Sequence, residues 1–202
     1  MKIAILVEGA TESAFKEKLC EFLKARLGQN MPRLKFIPQN GRVPKAEKLK
    51  RDLENLLSGS QAYDAVIALT DVYTGTQDFK DAEDAKNKMR RWTGNNPDFY
   101  PHVALHDFEA WLLPYWKTIQ DLAKHNRSAP RGLPETVNHQ KPPSAHIKEI
   151  FRSGGRQDYN KPIHGKRILK DNDLMVAIQA CPELKAFINQ IISLCDASKV
   201  IT

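Results

Sequence analysis

The chain has 202 residues, 41% of them hydrophobic and 27% charged, which suits one ordinary domain or one with an appendage and is too apolar for a disordered chain. Its net charge of +7 favours a polyanionic partner such as nucleic acid without establishing one, because many proteins are basic for solubility alone. No window approaches the ~18–20 consecutive apolar residues of a membrane span. The opening residues enter an apolar strand pattern at once, without the segments of a secretory signal. Cys20, Cys181 and Cys195 are unclustered, so neither a disulfide framework nor a zinc site is indicated. A reduced, cytoplasmic protein with no membrane association is expected.

Residues 2–7 (KIAILV) read as a strand buried on both faces, being apolar and β-branched without polar alternation. Gly9 turns the chain, Thr11 is a candidate N-cap, and Phe15, Leu19, Phe22, Leu23 and Leu27 recur at helical spacing until Gly28. Residues 34–38 form a weaker strand, followed by a helix from about Pro44 carrying Leu49, Leu53, Leu56 and Leu57 on one face. Residues 64–70 (DAVIALT) predict a third buried strand ending at Asp71, and the polar segment after it is mostly helix-compatible. Residues 102–106 (HVALH) predict a fourth strand that runs into "DFEAWLL", read as a helix cut at Pro114. Strand–helix alternation implies right-handed crossovers and a mostly parallel sheet of about four strands with flanking helices. The Pro-rich, polar texture of 125–145 predicts a long loop or insertion between an α/β domain (1–124) and a basic helical C-terminal region (146–202) packed on it. Within that region the pattern gives a short helix at about 144–152, a Gly-containing basic loop, and two helices separated at Cys181-Pro182.

Three of the four predicted strands end on acids: Glu8 after the first, Asp71 after the third, and Asp107 with Glu109 after the fourth. They lie about 60 and 35 residues apart, yet a parallel sheet brings its strand ends to one edge, where ligands bind. Glu12, one helical turn beyond Glu8, can point at the same place. Carboxylates sharing a small volume repel one another unless protonated or bridged by a cation, and hard oxygen donors favour Mg²⁺ or Mn²⁺ over zinc. Such ions carry in-line phosphoryl chemistry. Each acid has a plainer reading: Glu12 as a helix-dipole partner, Asp71 as a helix cap, Glu109 as a solvated helix residue. Glu8 is the hardest to dismiss, because it ends a strand read as fully buried.

"LVEGATE" followed by "LTDVYTG" resembles the TOPRIM-type metal-binding module of topoisomerases, primases and OLD-like nucleases. "FYPHVALHDFEAWLL" and the tail "QDYNKPIHGKRIL…IQACPELKAFI" are similar to the bacterial TOPRIM-like family catalogued as domain of unknown function 4276, so the resemblance spans nearly the whole chain. It implies a TOPRIM-like (Rossmann-type) α/β fold. It also implies that Glu8 takes the place of the module's acid/base glutamate and Asp71 that of its first metal aspartate. One departure matters: the module's second aspartate falls at Tyr73. Either Asp107 and Glu109 replace the missing ligand or metal binding is weakened. Tyr73 as a nucleophile is less favoured than Tyr73 as a packing or hydrogen-bonding residue.

His106 adjoins the acids, as a proton shuttle, phosphate contact or orienting group, or simply as a packed strand-end histidine. Between Lys148 and Lys170 seven Lys/Arg stand against two acids. Arg156, Lys161, His164, Lys166 and Arg167 are the candidate phosphate contacts, with a solvated basic face as the alternative. Trp111 and Trp116 read as core. No GxxxxGK[ST] segment is present, so NTPase activity would come from a partner. The expected function is a Mg²⁺- or Mn²⁺-dependent phosphodiesterase or nuclease acting on nucleic acid. Glu8, Asp71, Glu109 and His106 are its candidate catalytic residues, and Glu8, Glu12, Asp71, Asp107 and Glu109 its candidate metal ligands. The resemblance adds a bacterial defence or mobile-element setting with an ABC/AAA-type ATPase partner. Two alternatives stay open: a non-catalytic nucleic-acid- or ATPase-binding subunit with a degenerate site, and a small-molecule phosphotransfer enzyme on the same fold.

Overall fold

The structure, a computed structural model, describes residues 1–39, 41–73, 79–137, 141–155 and 158–202, with backbone alone at 10–14. Its centre is a sheet of β1 (Lys2–Val7), β2 (Arg33–Pro38), β3 (Ala65–Val72) and β4 (Phe99–Leu105). All pairings are parallel and the order is β2-β1-β3-β4. The two central places fit the sequence. β1 and β3 are the two runs without polar alternation, and they occupy the centre, where both faces are covered. The chain leaves β1 to one side for β2 and returns past it to β3, so the carboxyl end of β1 is the point where the winding reverses.

Alternate residues of the central strands feed two cores. Ile3, Ile5 and Val7 with Ala65, Ile67 and Leu69 face α1 (Ala10–Leu27) and the C-terminal half of the chain. Ala4 and Leu6 with Val66, Ala68 and Val72 face α2 (Ala46–Leu57) and α3 (Ala82–Trp92). Burying an aliphatic side chain of this size contributes roughly 1.5–3 kcal/mol. On the first face pack α4 (Trp116–Ala123), α5 (Pro143–Gly154), α6 (Lys161–Lys170), α7 (Leu174–Ala180) and α8 (Pro182–Asp196), sharing that core with α1. Among the described residues no helix is long and apolar enough to cross a membrane.

Three local expectations are corrected. β4 begins at Phe99 rather than 102 and tolerates Pro101, because it is an edge strand paired only with β3. "DFEAWLL" does not form an α-helix cut at Pro114. A 3-10 stretch spans Phe108–Tyr115 with Pro114 inside it, and α4 continues directly. The basic segment read as a loop before two helices holds a further helix, α6, capped by the Asn160 side chain, which accepts from Ile163 N–H at 3.0 Å.

Candidate active site

Parallel pairing puts the carboxyl ends of β1, β3 and β4 side by side, and these are the three strands that end on acids. Val7 pairs with Leu69, which sets Glu8 beside Thr70 and Asp71. The Glu8 carboxylate accepts from the Thr70 hydroxyl and from the Asp71 backbone N–H at 3.0 Å. Thr70 was not singled out in the sequence, although its place one residue before Asp71 on a buried strand made it the nearest donor.

After β4 the chain turns sharply through His106, whose φ of +46° is the left-handed conformation a side chain adopts at a cost of roughly 1–2 kcal/mol. The 3-10 stretch that follows is held by an aromatic cluster. Phe108 and Trp111 meet Phe15 of α1 at 5.6 and 5.8 Å between ring centroids, and Trp111 stacks on Phe187 of α8 at 6.1 Å. This packing draws Asp107 and Glu109 inward until neither has any exposed surface. Asp107 Oδ2 accepts from the Ser144 N–H at 3.2 Å, in the first turn of α5, where the helix dipole favours negative charge. Its Oδ1 is buried without a hydrogen-bond partner among the described residues. Glu109 accepts from the Tyr159 hydroxyl at 3.3 Å and from Lys161 Nζ at 2.9 Å.

Burial raises the Asp107 carboxyl, and burial followed by the charge of Asp107 raises that of Glu109. The Tyr73 hydroxyl is pushed up by its own burial and then by Asp107, Asp71, Glu109 and Glu8, so all four acids act on one point. Lys161 is drawn into the same volume. Burial alone would lower it, but Glu109, Asp107 and Asp71 together raise it.

Five of the anticipated residues therefore lie at the same edge of the sheet: Glu8, Asp71, Asp107, Glu109 and Lys161. His106 stands at its edge, 5% exposed, with Nδ1 unpartnered among the described residues, and burial lowers its imidazole. Glu12 lies in α1, its side chain outside what the structure describes, and Arg156 lies outside the described residues. The basic set does not form one face. His164 is 3% exposed, stacked on Tyr159, and accepts from the Asn160 N–H at 2.8 Å through Nδ1. Its work is to hold the Tyr159–Lys161 turn against Glu109, not to reach outward. Lys166 and Arg167 are exposed, and Lys166 pairs with Glu17 of α1 at 2.8 Å.

The donor chemistry, all carboxylate oxygen with one buried oxygen unpartnered, fits a hard divalent cation. As the side chains stand, no group of three or more His, Cys, Asp or Glu among the described residues is arranged to hold a metal. Glu109 instead neutralises Lys161.

A four-stranded parallel sheet, helices on both faces and carboxylates along one edge define an α/β fold of the TOPRIM-like, Rossmann-type class. The C-terminal region of the Burkholderia pseudomallei OLD protein superposes with a TM-score of 0.50 at 10% identity, covering 98% of each chain. The corresponding region of the Xanthomonas campestris pv. campestris OLD protein gives 0.49 at 12% identity over 97% of each chain. No curated protein matches the chain. The chain belongs to the family described as domain of unknown function (DUF4276), which matches residues 7–192.

Proposed function

We propose that the chain is a metal-dependent phosphodiesterase acting on nucleic acid, a nuclease in class. The observation that carries this is the convergence of Glu8, Asp71, Asp107 and Glu109 at the carboxyl edge of three adjacent parallel strands. Four carboxylates gathered at one edge of the sheet repel one another without a cation to bridge them. Glu8, Asp71 and Asp107, with Glu12 assisting, would hold Mg²⁺ or Mn²⁺. Such an ion would polarise a phosphoryl oxygen and lower the pKa of a bound water.

The chain's own groups supply the rest. Glu8, held by Thr70 and the Asp71 N–H, would accept a proton from water. Lys161 brings a positive charge to the place where a phosphoryl oxygen gains negative charge, and Glu109 and Tyr159 keep it there. His106, at the edge of the site, would pass a proton outward. The resemblance of the sequence motifs to OLD-like nucleases carries the further proposal of a setting in bacterial defence or mobile elements, with an ATPase partner.

A second reading, a non-catalytic nucleic-acid- or ATPase-binding subunit, is favoured by Tyr73 in place of a second aspartate and by the ion pair that occupies Glu109. Cleavage of DNA and RNA panels in Mg²⁺, Mn²⁺ and EDTA separates the two. Cutting that needs metal and disappears in Glu8→Gln supports the nuclease. Binding without cutting under every condition supports the second reading.

A further inference from the structure

Of the four cations on α6, Lys161 pairs with Glu109 inside the acid site and Lys166 pairs with Glu17. A second basic rim borders the acids from the opposite side. After β2 the chain stays tied to the end of β1. Gln39 N–H donates to the Val7 carbonyl at 2.8 Å and Gly41 N–H to the Glu8 carbonyl at 3.0 Å. The loop leading to α2 is thereby fixed beside Glu8. Val43 and Pro44 are buried as its anchor, while Arg42 and Lys45 stay exposed on either side of them.

Arg42 and Lys45 line one pocket together with Thr70, Asp71, Tyr73 and Phe79. Lys45 is positioned there by Phe79, its Nζ 5.9 Å from the ring centroid, and Phe79 in turn packs on Trp92 at 6.2 Å. The pocket therefore brings one carboxylate, Asp71, together with two cations on a largely apolar lining. That carboxylate also belongs to the acid cluster.

Resting on the nuclease reading above, we propose that Arg42 and Lys45 bind the phosphodiester backbone of the nucleic-acid strand immediately beside the phosphate being cleaved. The strand then leaves the acid site past Arg42 and Lys45, between β2 and α2. An arginine offers a planar fork of donors matched to phosphate, and a lysine propped on an aromatic ring offers a point charge at fixed height. Neither reads a base, so this rim would serve any sequence.

The test is binding of single-stranded DNA and RNA oligonucleotides across a salt series in Mg²⁺, with cleavage silenced by Glu8→Gln. In that background, Arg42→Gln with Lys45→Gln should weaken binding about tenfold and flatten the log–log salt slope by ~1.4, two contacts at ~0.7 each on a single strand. The charge-matched pair Lys117→Gln with Lys124→Gln, on α4 and at its C-terminal end on the other face of the sheet, should leave the slope nearly unchanged. Each single variant at 42 and 45, expected to flatten it by ~0.7, keeps the test decisive if the double variant fails to fold. Binding that is unchanged in the 42/45 variants overturns this proposal and leaves the nuclease reading standing. Equal flattening in the control pair overturns it too, because net charge rather than place would then explain the effect. A Glu8→Gln parent that binds neither DNA nor RNA overturns the nuclease reading and this proposal with it.

Discussion

Two buried carboxylate sites lie within this molecule and are built on opposite terms. Glu135, 4% exposed, accepts from Trp111 Nε1 at 2.9 Å and from the backbone N–H groups of Glu183 at 2.9 Å and Leu184 at 3.3 Å. It caps the start of α8 from a distance, and its charge is met by neutral donors and a helix dipole. Asp107 and Glu109, both fully buried, draw on one lysine, one tyrosine hydroxyl, the N–H and side chain of Ser144 and the Glu109 backbone, and still leave Asp107 Oδ1 unpartnered among the described residues. A carboxylate whose bonds are filled by the protein is structural. A group of carboxylates under-supplied with donors, gathered where strands end, is held ready for something that is not protein.

The difference can be broken most sharply at Glu8 and Asp71. Glu8→Gln and Asp71→Asn should each lower metal-dependent cleavage on the order of a thousandfold, the several kcal/mol a bound metal supplies. Both should leave the melting temperature equal to or above wild type, since each removes a charge from a repelling cluster. A variant that cuts like wild type removes its residue from the site. Glu135→Ala should do the reverse. It strips three buried donors of their acceptor and should cost about 3 kcal/mol in urea unfolding, with cleavage per folded molecule unchanged.

Lys161→Met sharpens the comparison. Removing the cation from Glu109 should cost about 2 kcal/mol without metal, less than a fully buried pair because the lysine side chain is 36% exposed. Added Mg²⁺ should then raise the melting temperature of this variant more than that of wild type. An equal rise would separate Lys161 from the metal's place.

A pH-dependent effect concerns His102 on β4, buried against Phe187 of α8. Burial, with Lys86 and Arg90 adding to it, holds its imidazole down at about 3. The unfolded chain, with an ordinary histidine near 6.5, binds the proton that the folded one refuses. Stability from this residue is therefore complete above about pH 6.5 and lost as pH falls from there toward 3, by up to ~1.4 kcal/mol per pH unit. His102→Leu should remove that slope from the difference between the two proteins' acid-unfolding curves.

Much of the site was legible because it is written in local pattern. Continuous apolar runs marked β1 and β3 as buried strands, and an acid at a buried strand's end is costly unless it is paired or used. What was not legible depends on tertiary packing. A run of lysines and arginines says nothing about direction, so the turn of Lys161 toward Glu109 and the burial of His164 between aromatic rings were hidden. The helix that carries them did leave a signal: Asn160-Lys161-Pro162 is an N-cap followed by a proline in the first turn. Glu135 gave none, because its three donors come from residues 24 to 49 positions away.

The central claim is that Glu8, Asp71 and Asp107 share a cation, and crystals grown with Mn²⁺ and measured at its absorption edge test it most directly. The account predicts an anomalous peak within about 2.5 Å of carboxylate oxygens from at least two of these residues, absent in Asp71→Asn. A peak bound elsewhere, or none at saturating Mn²⁺ with the Lys161–Glu109 pair intact, would contradict it.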